Sequence, residues 1–242
     1  MLLLYDIGGT NFRFYIYDDN NELKLEKKTI RDKDVLDQLL KSLSTNVEKY
    51  NITKIVVSIA GIVDNYKIYG CKNAGIADGT NLLRIFDIYV YPKNYDEMIN
   101  SVEIKYINDG DAFVLGEIDY NNIDMTNKNI LGVIFGTGVG SGLIMNGKLV
   151  KNCEIHNYIE PFMKSNNLNS QNLIKVFKFL ANEFSKLVEL LNLDFIIING
   201  YIKNYSICEN IILRFMSYNK YFKPKLIFSD CNNSIERGLL TL

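Results

Sequence analysis

The chain opens on an apolar run, Leu2 to Ile7, broken at Gly8-Gly9-Thr10. Phe12, Phe14 and Ile16 then alternate with Arg13, Tyr15 and Tyr17, the two-residue period of a strand. This reads as strand, tight turn, strand. Asn20-Asn21 supplies a second turn, and Leu23 to Ile30 alternates again as a third strand. From Asp34 to Asn51 the period changes: Val35, Leu36, Leu39, Leu40, Leu43 and Val47 make a helical stripe. Lys54 to Ile59, rich in β-branched residues, predicts a strand buried on both faces, ended by Gly61. Val102 to Ile107 predicts another strand with Asn108-Asp109 at its carboxyl end, and Asp111 to Tyr120 a helix. Strands alternating with helices make this half α/β.

The second half restarts the pattern. Ile130 to Phe135 is an apolar strand, Gly136 to Gly142 a glycine-rich turn, and Leu143 to Met145 a resumed strand before the hairpin signal Asn146-Gly147. The order of apolar strand, glycine turn, apolar strand and Asn-containing turn matches the first 23 residues, about 130 residues earlier. A duplicated α/β lobe is therefore expected, each copy offering a glycine hairpin. Ser170 to Leu193 predicts a long amphipathic helix and Phe195 to Ile198 a buried strand ending at Asn199-Gly200. Ile207 to Tyr218 follows as a helix, Lys225 to Phe228 as a strand and Asn233 to Leu240 as a short helix.

Composition narrows the function. In 242 residues, 48% are hydrophobic and 23% charged, far too apolar for a disordered chain. The net charge of -1 offers no general attraction for nucleic acid. The four cysteines, Cys71, Cys153, Cys208 and Cys231, form no CxxC pair, and His156 is the single histidine, so neither a structural zinc nor a disulfide framework is expected. The opening MLLLYDIGG lacks the basic start and small-residue cleavage site of a signal peptide. No apolar stretch approaches a membrane span. The expectation is a cytoplasmic protein with neither membrane nor nucleic-acid partner.

Two glycine turns between strands point to phosphate, because a backbone without Cβ atoms approaches closely and aims its N–H groups at anion oxygens. Asp6 precedes the first turn and Thr10 adds a hydroxyl. A carboxylate beside a phosphate cradle makes sense when a divalent cation lies between them, with water intervening. Taken alone, a plain hairpin with an incidental acid remains open. Gly136 to Gly142 has spacing like a dinucleotide fingerprint, but strand residues follow where that motif needs a helix, and no P-loop sequence occurs. Asn108-Asp109 could serve as a helix cap; it could equally place a proton acceptor where α/β sheets gather ligands.

Read together, DIGGTNFRF at Asp6 to Phe14, INDGDAFVLGE at Ile107 to Glu117 and FGTGVGSGLIMNGKL at Phe135 to Leu149 resemble the ROK and bacterial-type glucokinase family of the sugar kinase, Hsp70 and actin superfamily. The resemblance implies a two-lobed actin-like fold (a duplicated ribonuclease H-like fold), with ATP, Mg²⁺ and sugar in a central cleft. It implies an N-terminal lobe over residues 1–110 and a C-terminal lobe over 111–242, the last helix returning to the first lobe.

By the same resemblance, Asp109 matches the catalytic aspartate and Asn108 a sugar-binding asparagine. Gly8, Gly9, Thr10 and Asn11 match the first phosphate motif, with Asp6 near the metal. Gly136, Thr137, Gly138 and Gly140 match the second, and Gly200 the adenosine motif, where the family has consecutive glycines and this chain has Asn199-Gly200. Gly61 and Asn73 are similar to sugar-side residues. Glu154-Ile155-His156 resembles an E-x-G-H element without its glycine, which leaves the sugar open, and the zinc-binding cysteines of many ROK proteins are absent.

The implied activity is ATP-dependent phosphorylation of a hexose hydroxyl, glucokinase-like, and is compatible with a homodimer. Alternatives are a BadF-type kinase for an N-acetylhexosamine or 2-keto-3-deoxygluconate, a non-catalytic sugar or nucleotide sensor, and an Hsp70-like ATPase. The first strand is expected from residue 2, which disfavours the helix-turn-helix of a DNA-binding regulator.

Overall fold

The computed structural model describes residues 1–30, 34–64, 66–71, 75–82, 102–136, 138–153, 155, 159, 170–204, 210 and 223–242. Two compact units divide the chain: Met1–Asp109 with Leu239–Leu242, and Gly110–Gly238.

The first unit holds β1 (Leu2–Ile7), β2 (Asn11–Tyr17), β3 (Leu23–Ile30), α1 (Val35–Lys49), β4 (Lys54–Ile59) and β8 (Glu103–Asn108) around one five-stranded sheet of order β3-β2-β1-β4-β8. β1 pairs antiparallel with β2 and parallel with β4, and β4 pairs parallel with β8. The period of two decides the faces. Leu3, Tyr5 and Ile7 join Leu39 and Leu43 of α1 in the core. Asp6 therefore points to the opposite face. Asp34 caps α1, its side chain accepting from the N–H of Asp37 at 3.0 Å.

Three short strands, β5 (Ile62–Asp64), β6 (Lys67–Tyr69) and β7 (Thr80–Asn81), make a small antiparallel sheet beyond Gly61. No periodicity predicts them, because strands of two or three residues have too few positions to show one.

The second unit holds α2 (Asp109–Tyr120), which begins at the boundary, then β9 (Ile130–Phe135), β10 (Val139–Met145), β11 (Lys148–Val150), α3 (Ser170–Leu191), β12 (Phe195–Gly200), β13 (Lys225–Phe228) and α4 (Ser234–Leu240). Its sheet order is β11-β10-β9-β12-β13, with two antiparallel pairings followed by two parallel ones. That repeats the first sheet strand for strand. One face of the sheet packs on Val176, Phe177, Leu180, Phe184 and Val188 of α3, the other on Val114 and Ile118 of α2. Asn146 and Gly147 both take positive φ, 50° and 76°, between Met145 and its partner Lys148, as a two-residue hairpin requires.

Two boundaries differ from expectation. β10 starts at Val139, so Gly140 and Gly142 lie in a strand and not in the turn. Close packing explains Gly142: a Cβ there would sit 2.3 Å from the Gly110 carbonyl oxygen and 2.6 Å from a Val114 methyl. α2 starts at Asp109, two residues early; a Cβ on Gly110 would lie 2.1 Å from the Ser141 carbonyl oxygen, so only glycine lets the helix begin so close to β10. The helix expected over 207–218 falls mainly outside the described residues. Among the described residues no helix is long and apolar enough to cross a membrane.

Candidate active site

In the first unit, three parallel strands end side by side. Ile7, Ile59 and Asn108 are level with one another in the registers of β1, β4 and β8. The Gly8-Gly9 hairpin, the Gly61 turn and the Asn108-Asp109 pair thus share one edge of one sheet. Carboxyl ends of parallel strands are where open α/β sheets bind ligands, since loops diverge there and leave backbone groups accessible.

Asp6 is 4% exposed. Its Oδ2 accepts from Arg13 Nη1 at 3.3 Å and its Oδ1 from Ser58 Oγ at 3.1 Å. Burial pushes its pKa up, and the Arg13 charge and Ser58 hydroxyl oppose that rise. Arg13, Asp6 and Ser58 are direct partners across β2, β1 and β4, so they form one row on one face. Arg13 and Ser58 escaped the sequence reading, although the strand pairing alone would have set both beside Asp6.

The first hairpin is closed by Gly8 N–H donating to the Asn11 carbonyl at 3.1 Å. Thr10 at its tip is exposed and Asn11 half-buried. A Cβ on Gly9 would meet nothing within 4 Å, and one on Gly8 only the Asn11 carbonyl oxygen at 3.7 Å. Neither packing nor a positive φ calls for glycine there. Backbone kept bare beside open space suits close approach of a ligand.

Asn108 is 4% exposed and its Nδ2 donates to the Gly61 carbonyl at 2.8 Å. Cys71 Sγ donates to the neighbouring Ala60 carbonyl at 2.8 Å, and a Cβ on Gly61 would lie 2.7 Å from that sulfur. Gly61 is thus held from two sides. Asp109 follows Asn108 directly and is half-buried at the first position of α2.

The second unit brings Gly136, Gly138 and Gly140 to the end of β9, with Gly136 N–H donating to the Gly138 carbonyl at 2.8 Å. A Cβ on Gly136 would meet nothing within 4 Å; one on Gly140 would touch Ile134 at 3.0 Å. Gly200 ends β12 directly beside Phe135, at φ +95°, and a Cβ there would lie 2.0 Å from the Phe135 carbonyl oxygen. Close packing on Phe135 therefore accounts for a glycine at position 200. Tyr201, next in the chain, is 36% exposed and lies edge-on to Phe135.

Behind Gly200 lies a buried polar cluster that the sequence reading missed. Asn199 Nδ2 donates to Glu117 Oε1 at 2.6 Å and to the Cys231 carbonyl at 2.8 Å, while its Oδ1 accepts from Gly200 N–H at 2.6 Å. Ser234 Oγ donates to the same Glu117 oxygen at 2.5 Å. Glu117 is fully buried, and its carboxyl oxygens are met by the side chains of Asn199, Ser234 and Asn121. Asp111, 1% exposed, accepts from Asn152 N–H at 2.8 Å.

Asn73, Thr137, Glu154 and His156 lie outside the described residues. Among the described residues no cluster of three or more His, Cys, Asp or Glu side chains could hold a metal. One oriented carboxylate at a glycine hairpin nevertheless fits Mg²⁺, which is bound by one or two carboxylates with phosphate and water.

A profile of the ROK family matches residues 4–152. The chain belongs to the ROK family. An N-acetyl-D-glucosamine kinase of Mannheimia succiniciproducens is 30% identical over 154 residues, 62% of this chain and 47% of that protein. This ROK chain spans about half the length of the curated relatives it matches. Among solved structures, a proposed N-acetylmannosamine kinase from Listeria monocytogenes superposes with a TM-score of 0.77 at 17% identity, covering 99% of this chain and 97% of that one. A ROK family glucokinase from Streptomyces griseus, solved with glucose and AMPPNP, gives 0.70 at 13% identity, covering 98% and 97%. The fold is the actin-like α/β fold of ROK proteins.

Proposed function

We propose that this ROK protein is an ATP-dependent sugar kinase acting on a hexose hydroxyl, with an N-acetylhexosamine as the first acceptor to test. The observation that carries this reading is the shared edge of β1, β4 and β8. It brings a bare glycine hairpin, a buried carboxylate and the Asn108-Asp109 pair to adjacent strand ends. Phosphoryl transfer needs little more than positioned phosphates, a neutralising charge and a proton acceptor for the attacking hydroxyl.

In this reading Asp109 takes the proton from the sugar hydroxyl as its oxygen bonds to the γ-phosphorus. The bond to the β–γ bridging oxygen breaks and ADP leaves. Asn108 and Gly61 orient the acceptor, with Asn73, Glu154 and His156 as further candidates. Gly8, Gly9, Thr10 and Asn11 hold phosphate from the first unit. Gly136, Thr137, Gly138 and Gly140 hold it from the second, and Gly200 lies against the adenosine. Asp6 would hold Mg²⁺, through water; when bound, the ion neutralises phosphate charge.

The named activity of the curated relatives favours N-acetylglucosamine. Glucose is the second reading, because the Streptomyces glucokinase shares the fold over nearly the whole chain. A coupled ADP assay with N-acetylglucosamine, N-acetylmannosamine, glucose, fructose and 2-keto-3-deoxygluconate tests both. ADP release that depends on one of these sugars is expected. ATP hydrolysis at one rate with and without every sugar would replace the kinase by an ATPase, and sugar binding without ADP release would replace it by a sensor.

A further inference from the structure

Asp6 and Arg13 face each other across β1 and β2 through a single contact, Nη1 to Oδ2 at 3.3 Å. Among the described residues this is the guanidinium's one protein partner. Charge-assisted Arg–carboxylate bonds are usually shorter and often forked, so this one is loose. The two ends differ in setting: the Asp6 side chain is 6% exposed, that of Arg13 28%. Ser58 holds the other oxygen of Asp6 at 3.1 Å, which leaves Oδ2 as the exchangeable one. Arg13 stands two residues beyond Asn11, whose carbonyl closes the open glycine hairpin.

A carboxylate this buried costs free energy without a cation nearby. A guanidinium supplies one, and its planar fork also matches phosphate oxygens. We propose that Arg13 is an exchangeable counter-ion: it covers Asp6 Oδ2 in the empty protein and transfers to a nucleotide phosphate oxygen when Mg²⁺ and nucleotide arrive. Asp6 is thereby kept oriented toward the cation position, and Arg13 becomes a phosphate contact beyond the glycine backbones. This rests on the kinase reading above.

Calorimetric titration of ADP, with Mg²⁺ and with chelator, tests the exchange by binding alone. Arg13→Gln is expected to weaken Mg²⁺–ADP binding about tenfold, the loss of one charge-assisted contact. The same variant, titrated with Mn²⁺ without nucleotide, should bind that ion more tightly than wild type, because nothing competes for Asp6. In chelator, Asp6→Asn should tighten ADP binding about fivefold by releasing Arg13, and the double variant should lose that gain. A gain that survives in the double variant would reduce the effect to relief of repulsion and overturn the exchange. So would a folded Arg13→Gln protein with unchanged Mg²⁺–ADP affinity. Arg13→Met serves the same comparison where the glutamine variant fails to fold. Wild type that binds no nucleotide at all would instead defeat the kinase reading, which separates the two failures.

Discussion

The amide of Asn108 donates to the Gly61 carbonyl over 2.8 Å, tying the end of β8 to the turn after β4. This bond spans 47 residues of sequence and fixes the residue before Asp109. Asn108→Ala is expected to cost about 1–3 kcal/mol of stability, the usual loss when a buried partner is removed. It should also raise KM for the sugar far more than KM for ATP. Thermal denaturation and steady-state kinetics with each substrate varied check both; equal rises in the two KM values would argue against an acceptor-side role.

The glycines separate into two kinds. A Cβ on Gly9 or Gly136 meets nothing, whereas one on Gly116 or Gly238 would lie 1.7 Å or 1.8 Å from the carbonyl oxygens of Ser234 and Ala112. Gly9→Ala and Gly136→Ala are therefore expected to fold, with stability changed by about 0.5 kcal/mol or less. Their KM for ATP should rise about tenfold, roughly 1.4 kcal/mol of lost contact. Gly116→Ala and Gly238→Ala force α2 and α4 apart and should cost about 3 kcal/mol or more. Denaturant melts paired with nucleotide titrations distinguish the two classes.

Asp6 binds its proton more readily in the folded state, because burial outweighs the help of Arg13 and Ser58. Above the ordinary carboxylate value of 3.8 the folded protein thus binds more protons than the unfolded chain, and this group's contribution to stability falls as pH climbs toward the raised value. Asp6→Asn removes that fall. The variant should melt at a higher temperature than wild type at neutral pH, with the difference vanishing in acid, while its Mg²⁺-dependent turnover drops. Melting curves in chelator from about pH 4 to about pH 8, which spans the carboxylate range and neutrality, measure the first.

Glu117 holds α2, β12 and the start of α4 together through Asn199 and Ser234. Truncating it strands two donors in a dry interior. Glu117→Ala is expected to lose about 2–4 kcal/mol, because each buried donor left without its acceptor costs about 1–3 kcal/mol. Because Asn199 also receives the Gly200 N–H, the surviving folded fraction should bind ATP more weakly with sugar affinity little changed. Unfolding curves and nucleotide titration at low temperature test the pair of effects.

What could be read without coordinates follows from the range of each interaction. The alternation of Phe12, Phe14 and Ile16 and the two glycine breaks are local, so the hairpins and the repeat of one sheet plan were legible. So was the place of Asn108-Asp109, which needs only a strand end and a helix start. The start of β10 at Val139 was not, because glycine looks like a turn residue until Val114 is seen lying over Gly132 and Gly142. The Glu117 cluster was not, because its donors come from 82 and 117 residues away. The sheet of β5, β6 and β7 was not, because its strands are shorter than any detectable period.

Asp109, at the end of β8 and the first position of α2, carries the central claim. Single-turnover transfer from ATP to the preferred sugar by Asp109→Asn measures it most directly. The expected result is ATP affinity close to wild type with the transfer step slowed by about 10²–10⁴, the usual contribution of a general base. Transfer at the wild-type rate in a folded Asp109→Asn protein would contradict the account.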